Sequence, residues 1–277
     1  MLAMTAGIFQ DGDLIRVISR EGALIAAGGA ASLLQTAHPK VAQGVYDHSY
    51  TADDPARRLR NTMGWLYVVQ FGTREEAETL SALVTKGHES ITGPDYEAND
   101  PELQVWVAST LFAVATQFYQ VLFRRTFTEA ELEEFYGQTK IYATILGCPE
   151  GRMPETYRDF RAYYADMLNT LEISDASRAV AEQVLHPKLP GGPLNAPGLM
   201  MIRLLTAGLM PPPIREQYGW KWTRAREARF RLLLTVLSAA YPRLPLRIRT
   251  LPREYYLHST RKMLAKVKRR PAISVRG

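Results

Sequence analysis

Residues 103–123 carry apolar side chains around most of a helical circumference, among them Val105, Trp106, Val107, Leu111, Phe112, Val114, Phe118, Tyr119 and Leu122. A surface helix keeps a polar side for water, so a helix without one has to be covered from every direction. Its start is well signalled: Asp100 as acceptor cap, Pro101 at the first helical position, then the acid Glu102. The stretch predicts a helix buried in the middle of an all-helical domain.

The rest of the chain supplies what would cover it. Apolar residues recur at helical spacing almost everywhere, with no convincing run of alternating strand residues. Asp13 opens a first helix lined by Leu14, Ile15, Ile18, Leu24, Ile25, Leu33 and Leu34. Within it Gly28, Gly29, Ala30 and Ala31 are small enough for another backbone to approach closely. Pro39 breaks or redirects the chain. Pro55 sits just inside a helix ending near Gly72, and a third helix spans about 73–91, with Glu75, Glu76 and Glu78 early to favour its dipole. Thr128 with Glu131 forms a capping box for a helix reaching Leu146. Further helices fit 154–172, 175–185 with Ser174 as cap, 197–210 and 223–240. Proline-glycine loops at 187–197 and 211–213 read as surface connections within one domain. The expectation is all-α, one large helical domain over residues 1–253, followed by a basic C-terminal tail over residues 254–277.

Charge is unevenly placed. Residues 243–277 hold 11 Lys or Arg against one acid, Glu254, for a net +10, whereas the remainder carries 23 basic and 27 acidic residues, for −4. Such a tail can touch phosphate, of nucleic acid or of an anionic membrane face, or form a solvated terminal helix. The single cysteine, Cys148, excludes an internal disulfide and fits a reducing compartment. The first ten residues lack Lys and Arg, so no signal peptide is evident and a cytoplasmic location is expected. Residues 22–37 are apolar but short for a membrane span.

On the 55–71 helix, Arg58, Thr62, Trp65, Leu66 and Val69 share one stripe. A buried guanidinium needs an anion, either a carboxylate of another helix or the carboxylates of a ligand such as haem propionates. On the next helix Ala77, Leu80, Val84, His88 and Ile91 share the inward face. A lone inward histidine is more often a satisfied core residue than a ligand. Gly87 beside it removes bulk where a flat macrocycle would approach, and neutral imidazole is a preferred iron ligand. His38 and His48 have no zinc spacing, and His186 and His258 read as surface residues. Glu21, Asp47, Asp53 and Asp54 are the nearest acids, each read first as a solvated surface acid and only second as a base. No nucleophile elbow, phosphate-binding loop or Glu-x-x-His motif is present.

These residues resemble a known family. The run LLQTAHPKVAQGV at 33–45, then Asp47-His48-Ser49 and DPARRLRNT at 54–62, is similar to the MpaB-type oxygenases, which include the catalytic domain of latex clearing protein. FGTREEA at 71–77, DPEL at 100–103, Trp106-Val107, LLTAGLMPP at 204–212 and Arg215-Glu216 continue the likeness over roughly residues 15 to 250. The resemblance implies a globin-related helical core holding haem b, and dioxygen-dependent cleavage of carbon–carbon double bonds in isoprenoid or other apolar chains. It makes His88 the proximal iron ligand and Arg58 and Thr62 haem-site residues that bind a propionate, orient the site, or both. Asn61 stands where rubber-cleaving members can place a distal lysine, which predicts an open or water-bound distal side with Asn61 and Thr62 as its catalytic pair. Ala108 stands where many relatives carry a histidine. Other readings are a haem monooxygenase or peroxygenase, and a non-catalytic haem or lipid carrier. The expected partners are an apolar small molecule and dioxygen, with peripheral membrane contact through the tail and no specific nucleic acid.

Overall fold

The computed structural model describes residues 6–48, 54–187 and 196–269. In chain order the elements are α1 (Leu14–Ser19), a 3-10 turn (Gly22–Ala27), α2 (Gly28–Gln35), α3 (Pro39–His48), α4 (Pro55–Phe71), α5 (Arg74–His88) and a hairpin of β1 (Thr92–Gly93) with β2 (Tyr96–Glu97). Then come α6 (Pro101–Phe123), α7 (Glu129–Thr139), α8 (Ile141–Thr144), α9 (Tyr157–Thr170), α10 (Asp175–Leu185), α11 (Ala196–Leu209), α12 (Pro212–Gln217), α13 (Arg224–Ala240), α14 (Leu246–Arg249) and α15 (Leu251–Arg269). The fold is all-α, and the two-residue strands pair antiparallel with Gly93 opposite Tyr96.

The helix α6 runs through the centre as its composition demands. It packs against α1, α2, α7, α8 and α13, and it divides the interior into two apolar clusters. On one side Phe112 meets Phe135, Tyr136 and Phe160 at ring separations of 4.9 to 5.4 Å. On the other Trp106, Val114 and Phe118 face Leu33, Leu34 and Leu205. By length and composition α6 would cross a membrane, but 61% of its most apolar window lies inside the protein, which makes it a core helix.

Local chemistry starts the helices where the sequence signals them. Thr73, Thr128 and Thr156 each form a reciprocal capping box with the acid three residues on. Asp100 accepts from the Glu102 amide, and Ser174 from the Ser177 amide. The expected first helix is instead interrupted. Glu21 takes an extended backbone, φ −77° and ψ 107°, because its carboxylate is drawn inward to Arg249 Nη1 at 2.9 Å and the Tyr241 hydroxyl at 3.1 Å. Read from sequence as a surface acid, Glu21 is 1% exposed. Its partners lie more than 200 residues away, where no local pattern announces them. Pro39 redirects the chain by opening α3.

Two close helix crossings depend on glycine. A Cβ on Gly29 would stand 2.4 Å from Thr206 Oγ1 of α11, and one on Gly64 would stand 2.5 Å from Thr260 Oγ1 of α15. The second crossing lays α15 along α4. Tyr256 stacks on Tyr67 at 5.9 Å, and Arg261 binds the Glu76 carboxylate through two nitrogens at 2.8 and 3.0 Å. Most of the 187–197 loop, Asp53 and residues 270–277 lie outside the described residues.

Candidate functional site

Opposite its contact with α15, α4 walls a cavity of about 560 Å³, within the roughly 300–1,000 Å³ of small-molecule sites. The walls come from α3, α4, α5, the hairpin and the first half of α6, with Tyr142 and Leu146 closing the floor. The lining is mostly apolar, with Val41, Trp65, Val84, Leu103, Val107 and Leu111 as main contributors.

Arg58, Asn61, Thr62 and His88, named from sequence on two helices, all line this one cavity. Helical spacing explains the first three, which occupy one turn of α4. The apolar stripe was read as core-facing. In the structure Arg58 is half-buried and Asn61 and Thr62 are exposed, because the stripe faces a cavity with an open side. Arg58 and Asn61 also interact within the chain.

His88 ends α5 with its ring against the cavity. Its Nδ1 is buried and makes no hydrogen bond. Burial pushes its pKa below the usual imidazole value, against a smaller upward effect of Asn99. A Cβ on the neighbouring Gly87 would meet nothing within 4 Å. The wall therefore has free space directly beside the imidazole.

The sequence reading missed several lining residues. Lys40 adds a second cation to the wall, and Gln104 brings a buried Oε1 with no partner. At the rim Tyr96 donates to Asp47 Oδ2 at 2.7 Å, and His48 Nε2 lies 3.1 Å from the same hydroxyl and 3.2 Å from the Thr92 carbonyl. Burial and the Asp47 carboxylate push the Tyr96 phenol up to about 12, while the Tyr96 hydrogen bond holds the Asp47 carboxyl down. His48 is thus at the mouth of the cavity, whereas His38 and Ala108 do not line it. Ala108 is packed in the core. His186 pairs with Glu182 at 2.9 Å on the surface and His258 is exposed. Asp54 caps α4 by accepting from the Arg57 amide at 2.9 Å. A sequence signal for Tyr96 and Asn99 is weak, since both sit in the short stretch between two helices.

Among the described residues no group of three or more His, Cys, Asp or Glu gathers to hold a metal ion. A metal carried in a macrocycle asks less of the protein, needing one axial nitrogen and cations for its carboxylates. An apolar cavity with an imidazole on its wall, free space beside it and two cations nearby fits such a group.

A helical domain closing an apolar cavity around these few polar groups is a small-molecule-binding domain of enzyme type. Residues 15–239 match the model of the family described as "ER-bound oxygenase mpaB/B'/Rubber oxygenase, catalytic domain", and the chain belongs to that family of oxygenases. It is 27% identical over 238 residues to the uncharacterized protein Mb2261 of Mycobacterium bovis, covering 83% of this chain and 93% of the relative. The uncharacterized protein Rv2237 of Mycobacterium tuberculosis matches to the same extent. No solved structure matches the chain significantly.

Proposed function

We propose that the protein is a haem b-dependent oxygenase that uses dioxygen to cleave a carbon–carbon double bond in an apolar, isoprenoid or lipid-like substrate. The observation that carries this reading is the meeting of His88, Arg58, Asn61 and Thr62 at one apolar cavity in a chain of the oxygenase family. When bound, the haem supplies the iron that activates dioxygen. His88 Nε2 is its protein ligand, and the positive charges of Arg58 and Lys40 bind its carboxylates. Val41, Trp65, Val107 and Leu111 hold the apolar chain and exclude water, while Thr62 and Asn61 are the polar groups that orient the reacting bond. Cleavage of an alkene by dioxygen into two carbonyl compounds balances without an external reductant. Monooxygenation would consume two further electrons and release one oxygen atom as water, which separates the two chemistries by their products.

The buried free thiol of Cys148 supports a reducing, cytoplasmic setting. Leu246, Ile248 and Leu251 are exposed beside Arg243 and Arg247. With the basic residues of α15 they support peripheral contact with an anionic membrane, the source of an apolar substrate.

The test is an absorption spectrum of the full chain produced with haem precursor, oxidised and dithionite-reduced, beside His88→Ala. A stoichiometric b-type Soret band, lost or shifted in the variant, is expected. A wild type that remains colourless after haem reconstitution refutes the haem assignment. Alkene turnover under ¹⁸O₂ then places label in both carbonyl fragments for cleavage, and one labelled oxygen in the product for monooxygenation.

A further inference from the structure

Beside the cavity two side-chain atoms on neighbouring segments are buried without a partner, His88 Nδ1 and Asn99 Oδ1. The chain topology brings them together. After His88 the backbone turns through the β1–β2 hairpin and returns, so that Asn99, one residue before the Asp100 cap of α6, comes back to the last turn of α5. There Asn99 Nδ2 donates to the Thr85 carbonyl at 3.1 Å. A carbonyl only accepts, so this bond fixes which end of the amide is which. Thr85 lies three residues before His88, on the same side of the helix. With its amino group held by Thr85, Asn99 has its oxygen left for the imidazole. The pair stops short of a closed hydrogen bond in this structure.

An amide oxygen has no proton to give, so a hydrogen bond that closes between the two groups needs its hydrogen on Nδ1. An imidazole protonated at Nδ1 carries its lone pair at Nε2. We infer that Asn99 is a positioning residue that holds His88 as the Nδ1–H tautomer and aims the Nε2 lone pair into the cavity for a metal. Histidine ligands characteristically donate their second ring N–H to an acceptor that fixes tautomer and orientation. Asn99 is a neutral acceptor. It leaves the imidazole less electron-rich than a carboxylate would, which favours the reduced metal that binds dioxygen.

This inference rests on the reading of His88 as the haem ligand, yet its first consequence is visible without haem. In the full chain carrying ¹⁵N-histidine, His88 resonances are assigned by their loss in His88→Ala. The expected wild-type pattern is a protonated Nδ1 and an unprotonated Nε2, kept in Asn99→Asp and lost to the other tautomer or to a mixture in Asn99→Leu. An Nε2–H tautomer in the wild type overturns the inference, as does a tautomer indifferent to Asn99→Leu. Should Asn99→Leu fail to fold, the wild type and Asn99→Asp still decide the matter. Haem titration supplies the second readout. Hemin affinity is expected to fall about 10- to 100-fold in Asn99→Leu, while Asn99→Asp retains affinity and lowers the reduction potential of the bound haem. An unchanged potential in Asn99→Asp overturns the inference. The expected tautomer in a protein that binds no hemin refutes His88 as a haem ligand, and leaves the Asn99 contact established.

Discussion

Gly87 offers a perturbation in which stability and ligand binding should move in opposite directions. It is the next-to-last residue of α5, its backbone is not in the left-handed region, and a Cβ there would meet nothing within 4 Å. Glycine inside a helix costs about 0.8–1 kcal/mol relative to alanine, with less at a helix end. Gly87→Ala is therefore expected to stabilise the protein by about 0.5 kcal/mol. With an unfolding entropy of about 2.1 cal/mol/K per residue, a chain of this length gains roughly 1 °C in Tm. Gly87→Leu should keep most of that gain, because leucine is also a good helix former. Its side chain, however, enters the space beside His88 in a cavity of about 560 Å³. Hemin affinity should then fall at least about tenfold, or about 1.4 kcal/mol. Thermal unfolding followed by circular dichroism gives the first number, and a Soret-band titration the second. A Gly87→Ala protein with a lowered Tm refutes the open-space argument. A Gly87→Leu protein that binds hemin like the wild type refutes the placement of the ligand beside His88.

Three further outcomes follow from the packing and the buried charges. Glu21→Gln leaves Arg249, with 14% of its side chain exposed, without the carboxylate it now binds. Denaturant unfolding should register a loss of about 3–5 kcal/mol, and a loss under 1 kcal/mol would mean that this pair is not buried. Gly64→Ala pushes a methyl onto Thr260 Oγ1. A cost of about 1–3 kcal/mol is expected, and Thr260→Ala should recover much of it in a double-mutant cycle, additivity being the contrary result. His38 is held below its usual value of 6.5, first by burial and then by Lys40. Between that value and its lower folded one the unfolded chain binds more protons. Stability should accordingly fall as pH drops through about 6.5, by at most about 1.4 kcal/mol per pH unit for this group, and level off below the folded value. Urea titrations between pH 7.5 and 5 should give a shallower slope for His38→Gln, and an unchanged slope would remove His38 as a contributor.

The parts of this architecture that were legible in advance are those written locally. Threonine with an acid three residues on, Asp100 before Pro101 and the unbroken apolar surface of α6 each carry their own instruction. Arg58, Asn61, Thr62 and His88 could be named because helical spacing assigns a face from neighbours alone. What that face looks onto depends on elements far away in sequence, so a stripe that borders a cavity reads the same as one that borders packed side chains. Glu21 was misread for the same reason, since Arg249 and Tyr241 reach it only after the chain has folded. Asn99 lies between helices, where periodicity says nothing, and its importance lies in two unpaired atoms that only coordinates reveal.

The seam between α4 and α15 also sets an order of events during synthesis. Glu76 at the start of α5 and Arg261 of α15, whose ion pair lies beside that seam, are 185 residues apart, a gap that takes on the order of 10 to 40 s to translate at about 5–20 residues per second. Throughout that interval the helix bearing Arg58, Asn61 and Thr62 has emerged while the helix that braces its other side has not. The nascent chain thus holds an unsupported cavity wall with Gly64 and Tyr67 uncovered. Docking of α15 therefore comes after the central helices have emerged, and the wall that carries Arg58, Asn61 and Thr62 is the part of the cavity braced last.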